Sequence, residues 1–387
     1  MDGFTEVTTQ GLGSRLLQSI KGVLLGLVLF VAGFPVLWFN EGYAVKTARS
    51  LSQGAHDVIS VMPDRVDPAN EGKLVHVAGL ATTTETVADP LFKVSAQGIR
   101  LRRTVEMYQW KESSSSRKEK DVGGSETTRT TYRYAPVWSE QAIESAAFKR
   151  PEEHQNPAMP FRSADYVADR VMLGAFRLNG DQVARLTGGD PVDVSAAGLP
   201  DSIRGRAHPL ESGFQIGDPA SPKVGDLRIT FSRLKPVEVS VVARQLGDRF
   251  EAYSAKAGGA IELVAMGVQS ADAMFARAQT ENVVRTWILR GVGLILMLIG
   301  LALVLNPLAT FGDVVPFVGS LLRAGVGVLS FVVALCLSLL TIAVAWITFR
   351  PLVGVTLLAG AALLVYGTVR FRKRAAAKPK GLTAAAQ

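Results

Sequence analysis

Cysteine is nearly absent from this chain, since Cys336 is the single one among 387 residues. One thiol can form no intrachain disulfide and cannot supply a Cys-ligated zinc site, so disulfide-stapled and zinc-ribbon scaffolds are excluded. Histidine is also scarce, and the four histidines share no ligand spacing with one another or with Cys336. We therefore predict neither a metal nor any other cofactor.

The sequence also lacks the short motifs that carry enzyme chemistry. It contains no Gly-x-Ser-x-Gly nucleophile elbow, no Walker phosphate loop and no dinucleotide-binding fingerprint. The glycines of segment 122–125 are not followed by the Lys-Ser or Lys-Thr pair that a phosphate loop requires, and no pattern pairs two carboxylates. We predict no catalytic residues and no enzyme activity.

Acidic residues are almost missing from the last part of the chain. Residues 285–387 carry ten basic residues and one acidic residue, whereas residues 40–284 carry 30 basic and 31 acidic ones. The formal net charge of +8 therefore arises from the C-terminal part, and the middle segment has no basic face of its own. This distribution argues against nucleic acid as a partner.

Long apolar runs are present instead. Four windows have the length and apolar character of membrane helices: 22–39, 286–305, 324–347 and 351–369. A single run of this kind could be a buried core helix, but four favour a multi-pass membrane protein whose first partner is the lipid bilayer. The first run could also be a cleaved signal peptide. Its 18 residues exceed the usual apolar core of such peptides, and Trp38-Phe39-Asn40 is a poor cleavage site, which favours a retained anchor.

Basic residues beside these windows predict the orientation. Short Lys- and Arg-rich flanks stay cytoplasmic, so we expect both termini on that side and residues 40–284 on the other. The residues assigned to the membrane interfaces are Arg15, Lys21, Arg290, Arg323, Arg350, Arg370, Arg372, Lys373 and Arg374. Arg290 lies inside its window, near the start, and we expect its side chain to extend outward to the interface. The span centres hold no Asp, Glu, Lys or His, which disfavours an ion-coupled transporter.

The predicted fold class is an α-helical membrane protein of four transmembrane helices, with a large β-rich α+β domain inserted between helices 1 and 2. Its parts are a cytoplasmic N-terminus with helix 1 (1–39), a periplasmic or lumenal β-rich domain (40–284), helices 2–4 (285–369) and a basic cytoplasmic tail (370–387). Segment 40–53 either continues the first helix along the membrane surface or frays into a loop. A helix capped by Ser270 is expected to enter the second span.

Within the β-rich segment, apolar residues alternate at odd positions from Ile99 to Met107, with a break at Arg103. This predicts a strand, with residues 128–138 as its hairpin partner. The Ser-, Lys- and Glu-rich segment 111–127 predicts a mobile loop between them. His76, between two valines, is expected on the polar face of its strand, and residues 139–148 are expected to form a short helix.

Several segments together resemble the transmembrane protein 43 family, also called LUMA. They are Trp38 to Gly42 with Ala44 to Ala48, Lys73 to Gly79, Val105 to Trp110, Thr131 to Tyr134 with Trp138, His154 to Pro157, Trp287 with Arg290-Gly291, and Ala345-Trp346 with Arg350-Pro351. The resemblance implies four membrane spans and one large lumenal domain. It implies the endoplasmic reticulum and inner nuclear membrane for animal members. It brings no catalytic residues.

The resemblance also implies a function, that of an integral membrane scaffold that organises membrane protein complexes and self-associates. A channel or channel subunit is the alternative, and an enzyme of the bilayer is the least favoured one. The Ala-, Gly- and Arg-rich composition suggests a bacterial source, in which case the membrane would be the inner membrane. We expect a homo-oligomer held mainly through residues 54–270, against the alternative of a monomer whose glycines serve packing within one chain. Other membrane-protein partners are not identified by the sequence.

Overall fold

The computed structural model describes residues 2–120, 125–195, 199–313, 316–352, 354 and 356. The predicted fourth span therefore lies largely outside the described residues, and the tail with Arg370, Arg372, Lys373 and Arg374 lies wholly outside them. Three described helices are long and apolar enough to cross a membrane, one near the N-terminus and two near the C-terminus. Four membrane helices were predicted, and the described residues contain three.

The helices are α1 (Leu12–Asp57), α2 (Gly180–Ala184), α3 (Asp201–Arg204), α4 (Ala271–Gly312) and α5 (Pro316–Phe349). The first strands are β1 (Asp2–Gln10), β2 (Ile59–Ser60), β3 (Leu74–Thr82), β4 (Thr86–Asp89), β5 (Val94–Gln97), β6 (Arg100–Lys120), β7 (Glu126–Ser139), β8 (Ala164–Val167), β9 (Val171–Leu173) and β10 (Phe176–Leu178). The others are β11 (Asp190–Pro191), β12 (Ala207–Leu210), β13 (Gly213–Ile216), β14 (Leu227–Leu234), β15 (Val237–Leu246), β16 (Arg249–Glu251), β17 (Tyr253–Ser254), β18 (Ala260–Ile261) and β19 (Leu263–Met266).

The chain divides into two units. The β-rich unit comprises Met1–Leu12 and Ala48–Glu281, and the helical unit comprises Gly13–Thr47 and Asn282–Gln387. Helices α1 and α4 each contribute residues to both units. The β-rich α+β domain predicted between the first two membrane helices is therefore present, as the bulk of the β-rich unit.

Two large sheets form the β-rich unit. One has eight strands, with the path β1-β7-β6-β14-β13-β12 and with β11 and β8 attached to β14 and β6. The other has seven, in the order β19-β15-β16-β10-β9-β3-β2, and an additional pairing of β3 with β15 closes five of them into a ring. Inward side chains of both sheets share one apolar core, which includes Val77, Val105, Phe231 and Val241. This burial is the main driving force for folding of the unit.

Arg103 interrupts the apolar pattern of β6, but it does not interrupt the strand itself. Arg103 lies on β6 at an inward position like Leu101 and Val105, and it is buried. Its guanidinium donates to the buried Asp89 carboxylate at 2.5 Å and lies 5.0 Å from the centre of the Phe92 ring. The strand keeps its alternation because a buried carboxylate compensates the buried cation.

The mobile loop predicted at 111–127 is wrong for the described part of that segment. Strand β7 stays paired with β6 along its whole length, from Ser139 opposite Met107 to Glu126 opposite Lys120. Ser and Thr side chains contact each other across the strands, as in the 2.9 Å hydrogen bond between Ser116 and Thr130. Such cross-strand pairs stabilise a polar ribbon without an apolar face. Composition predicted disorder because it ignores this pairing.

Strand β1 was not predicted. It pairs antiparallel with β7 over nine residues, in a register that places Thr5 opposite Thr131 and Phe4 opposite Tyr132. The two hydroxyls lie 3.0 Å apart and the two rings stack at 5.1 Å. Strand β1 therefore belongs to the β-rich unit. The orientation predicted for residues 1–39 across the membrane stays a prediction.

Two smaller expectations were wrong as well. His76 is buried, not on a polar face, and its Nε2 donates to the Gln269 carbonyl at 2.9 Å while Nδ1 accepts from the Ser60 hydroxyl at 3.2 Å. Burial lowers the pKa of the His76 imidazole, and the hydrogen bond to the Gln269 carbonyl opposes this shift. The helix expected at 139–148 is reduced to a single 3₁₀ turn at Ser145–Ala147.

Two other expectations agree with the structure. Helix α1 continues through residues 40–53, and the Ser270 hydroxyl caps α4 by accepting from the Ala273 amide at 3.3 Å.

A cysteine pair tests the pairing of β1 with β7. In a Cys336→Ala background, Thr5→Cys with Thr131→Cys should form an intramolecular disulfide on mild oxidation, since the two side chains already touch. The control is Thr5→Cys with Thr130→Cys, whose side chains point to opposite faces of the sheet. Gel mobility under non-reducing conditions reports the bond. Absence of a crosslink in the first pair would place β1 elsewhere in the structure.

Candidate functional site

Helices α1 and α4 pack antiparallel in the helical unit, and glycines let their backbones approach closely. A Cβ atom on Gly26 would stand 2.7 Å from the carbonyl oxygen of Gly300, so only hydrogen fits there. Side chains fix the register further along, because the Asn40 amide donates to the Thr286 carbonyl at 3.1 Å. Asn282 likewise donates to the Ala44 carbonyl at 3.0 Å. Close packing and hydrogen bonds therefore fix the register of α1 and α4 at several positions along the two helices.

A buried carboxylate joins all three long helices near the end of this contact. Glu41 of α1 is fully buried, and its two oxygens accept from the Arg290 guanidinium of α4 at 2.6 and 3.0 Å. The indole Nε1 of Trp346 on α5 donates to the same carboxylate at 2.7 Å. The Arg290 guanidinium also lies 4.7 Å from the Trp287 ring centre and 5.6 Å from that of Trp346. We call these four residues the Glu41 cluster.

The Glu41 cluster corrects the expectation for Arg290. Its side chain is 14% exposed and binds Glu41 rather than extending outward. A bidentate carboxylate and two aromatic faces replace the water that the cation would otherwise need. Sequence reasoning missed Glu41 because it follows the apolar run and looks like an ordinary flank. The available signal was the single charge, Arg290, inside the apolar window 286–305, because a buried cation requires a partner.

A second buried carboxylate lies toward the opposite end of α4. Asp313, the single acidic residue after position 284, is fully buried. One of its oxygens accepts from Arg15 at 2.6 Å and from Arg323 at 2.7 Å. Arg323 also reaches the Asn306 amide oxygen at 3.4 Å. This Asp313 cluster again takes residues from α1 and α5 as well as from the C-terminal end of α4, and it unites two residues that the sequence assigned separately to the interface.

The two clusters are one membrane thickness apart. From Arg15 to Glu41 along α1 the rise is about 39 Å, and from Arg323 to Trp346 along α5 it is about 35 Å. A bilayer with its headgroups measures about 40–45 Å, of which about 30 Å is hydrocarbon. Between the clusters the packed residues are apolar, with Leu37, Met297 and Ala334 fully buried. The clusters therefore mark the two interfaces of a transmembrane bundle.

The other predicted interface residues are not drawn into these clusters. Lys21 is exposed on α1. Arg350 follows the last residue of α5, is half-buried, and its backbone amide donates to the Trp346 carbonyl at 2.7 Å. Among the residues that the structure describes, the Arg350 guanidinium has no carboxylate partner. The remaining four lie outside the described residues.

In the β-rich unit, aromatic and polar side chains meet around Tyr134, several of them from the segments that resemble the family. The buried Tyr134 ring stacks on His154 at 3.8 Å, and Trp110 meets the same imidazole edge-on at 4.8 Å. The Tyr134 hydroxyl donates to the Glu112 carboxylate at 2.7 Å and accepts from the Arg150 amide at 3.2 Å. Burial, and secondly Glu112, raise the pKa of Tyr134 to about 12. The Tyr134 cluster ties the β6–β7 hairpin to residues 149–156.

No catalytic or metal site emerges from the described residues. They contain no group of three His, Cys, Asp or Glu side chains that could hold a metal ion. The β-rich unit has an open cavity of about 890 Å³ between residues 139–144 and 158–163. Its Ser139 hydroxyl donates to the Gln141 carbonyl at 2.7 Å, and its Ser163 hydroxyl accepts from the Val105 amide at 3.0 Å. These hydroxyls are used in local structure.

Bilayer-spaced charge clusters on three long helices, with a β-rich unit inserted between the first two, define a multi-pass integral membrane protein. The family model for Transmembrane protein 43 matches residues 107–351, so this chain belongs to the transmembrane protein 43 family. The human Transmembrane protein 43 is 35% identical over 378 residues, covering 94% of this chain and 92% of the human one. The Drosophila melanogaster homolog is 30% identical over 354 residues, covering 89% and 93%.

The rat protein is also 35% identical, over 356 residues that cover 88% of each chain. No solved structure matches. The relatives are animal proteins, so they give no support to the bacterial source that composition suggested. The family resemblance stated from the sequence segments is confirmed.

Removal of Arg290 should strongly destabilise the helical unit. Arg290→Ala leaves the Glu41 carboxylate buried without its cation, which costs roughly 3–5 kcal/mol. The double variant Glu41→Gln, Arg290→Met removes both charges and should lose less than Arg290→Ala alone. Unfolding in nanodiscs, followed by tryptophan fluorescence, measures both.

The matched control for this series is Arg277→Ala in the same helix α4. It breaks an exposed pair with Glu281, whose side chains are both 65% exposed, and such pairs contribute under about 1 kcal/mol. Equal losses for Arg277→Ala and Arg290→Ala would show that the Glu41 cluster does not hold the bundle.

The raised pKa of Tyr134 predicts an alkaline limit to stability. The unfolded phenol releases its proton near the ordinary pKa of about 10, and the folded one near 12. The stabilisation is therefore complete below pH 10 and is lost as the pH rises through 12. Tyr134→Phe should flatten this part of the pH profile of thermal unfolding. A profile in the variant as steep as in the parent protein would refute the assignment.

Proposed function

We propose that this chain is an integral membrane scaffold that organises membrane protein complexes and assembles with copies of itself. The observation that carries the proposal is the Glu41 cluster, with its counterpart around Asp313. Each takes residues from α1, α4 and α5, and each neutralises a buried carboxylate. Such clusters favour one fixed arrangement of helices, which suits an anchor that presents a large domain at a membrane.

The same clusters argue against the channel alternative. Between them, residues 22–40, 291–312 and 324–349 contain no charged side chain. The hydroxyls of Ser338 and Thr341 donate to carbonyls of their own helix, those of Leu335 and Leu337. A conduction path would need polar groups that face a shared space. The described bundle offers mostly apolar packing there instead, with the buried Ser330 hydroxyl as a single unpaired group in that part of α5.

Glycines on open faces support self-assembly. Gly26, Gly33, Gly293 and Gly300 are occupied by contacts within the chain. Gly291, Gly325 and Gly327 are different, because a Cβ atom on any of them would meet nothing within 4 Å. Small residues on a helix face allow a second helix to approach closely. We expect the β-rich unit, with its near-zero net charge, to supply most of the interface and these faces to supply the rest.

In this proposal, the membrane in which the protein resides is inferred from its family. An animal relative at 35% identity favours the endoplasmic reticulum and inner nuclear membrane implied by the family, and a bacterial inner membrane is the alternative if the source is bacterial. We propose no enzyme activity, and other membrane proteins are the partners of such a scaffold.

Native mass spectrometry in nanodiscs tests the assembly. The full-length protein should appear as a homo-oligomer, and reconstituted sealed vesicles should show no ion flux above empty vesicles. Gly325→Leu fills open space and should shift the protein toward smaller oligomers while thermal stability is kept. Gly26→Leu, at an occupied position, should instead lower the stability. A monomer in every lipid composition, or ion flux that scales with protein content, would overturn the proposal.

A further inference from the structure

An apolar groove runs between α1 and α5 in the helical unit. Its volume is about 460 Å³, within the roughly 300–1,000 Å³ of small-ligand pockets. The α1 wall consists of Phe34, Pro35, Trp38 and Phe39, and the α5 wall consists of Leu340, Thr341 and Val344. Phe39 is 71% exposed and Leu340 is 58% exposed, so the groove is open along its side.

The surface that the walls expose is almost wholly apolar. Proline has no amide hydrogen, so Pro35 presents a ring and no donor. The Thr341 hydroxyl donates to the Leu337 carbonyl of its own helix at 2.7 Å. The occupant must therefore be a hydrocarbon over the length of the groove.

The position of the groove along the membrane normal indicates which molecules surround it. Val344 precedes Trp346 by two residues, and Trp38 precedes Glu41 by three, so the groove begins directly inside the Glu41 cluster. The Glu41 cluster marks one membrane interface, which places the groove at the outer part of the hydrocarbon layer. Lipid acyl chains are the hydrocarbon present at that depth.

Arg350 directly follows α5, on the side of the groove that faces the Glu41 cluster. Arg350 follows Val344 by six residues, about 9 Å along the helix direction. Arg15, Arg290 and Arg323 each bind a buried carboxylate, whereas Arg350 has none among the residues that the structure describes. The Phe349 ring contacts Trp38 with 5.5 Å between ring centres, which joins the end of α5 to the groove wall.

We propose that this groove binds one anionic phospholipid, with an acyl chain between α1 and α5 and its phosphate on Arg350. A guanidinium binds phosphate oxygens in a bidentate, charge-assisted manner, and its planar fork suits this better than an ammonium. A helix from a second copy would fill the apolar walls but would leave the Arg350 charge uncompensated. Charge complementarity therefore favours the lipid.

Lipid retention measured by native mass spectrometry tests the site. The full-length protein is released from nanodiscs of equal phosphatidylserine and phosphatidylcholine. We expect one phosphatidylserine per protomer to remain bound. Val344→Trp, which fills the groove, should reduce that retention about tenfold. Val332→Trp is the control, because Val332 is 48% exposed on the same helix and Val344 is 44% exposed.

Two further variants separate the parts of the site. Arg350→Gln should keep a bound lipid but lose the preference for phosphatidylserine by about tenfold, because a charge-assisted contact is removed. Phe39→Ala removes an exposed wall ring and should weaken retention of both lipids without affecting folding. Equal retention in Val344→Trp and Val332→Trp would reduce the groove to unspecific annular lipid. A change of oligomer mass with unchanged retention would assign the groove to a second copy. Either result overturns the proposal.

Discussion

A carboxylate buried among apolar helices requires a cation or a hydrogen-bond donor in direct contact. The arrangement of the helices in the helical unit depends on this requirement. Glu41 can be buried only with Arg290 and Trp346 in contact, so α4 and α5 must both be present for α1 to be stable in this position. Apolar packing alone would leave the helices free to slide or rotate against lipid, which is as apolar as they are. The carboxylate instead selects one register and one set of neighbours. Asp313 does the same about one bilayer thickness away, with two arginines around a single oxygen.

The architecture of the chain could largely be predicted from its sequence, because hydropathy and alternation are local properties. The first three apolar windows correspond to α1, α4 and α5, and the alternation at Ile99 to Met107 corresponds to β6. Contacts between distant segments could not be predicted. Strand β1 has an ordinary polar sequence, and only the partner strand β7 gives it a structure. His76 was placed by its neighbours in sequence, whereas Gln269, far along the chain, provides its actual hydrogen bond.

The candidate site shows the same limit in its electrostatics. Arg15, Arg290 and Arg323 could be identified from their positions at the ends of apolar runs. Charge counting treats each as an isolated cation at an interface and assigns it to water or headgroups. The structure gives each a carboxylate, and both carboxylates lie in segments where acids are rare. Rarity of one charge sign in an apolar region is thus a usable signal, because a lone buried charge requires a partner.

The pairing of β1 has a consequence for the order of folding. Thr5 and Thr131 are 126 positions apart, so β1 leaves the ribosome long before its partner exists. At about 5–20 residues per second, the strand waits several seconds, while α1 is already available for insertion. Its Thr- and Glu-containing sequence, DGFTEVTTQ, keeps it soluble during this interval. The β6–β7 hairpin is local and can close at once, whereas the third strand of that ribbon must return across a large loop. Strand β1 is synthesised before its partner and is therefore among the last segments to reach its native place.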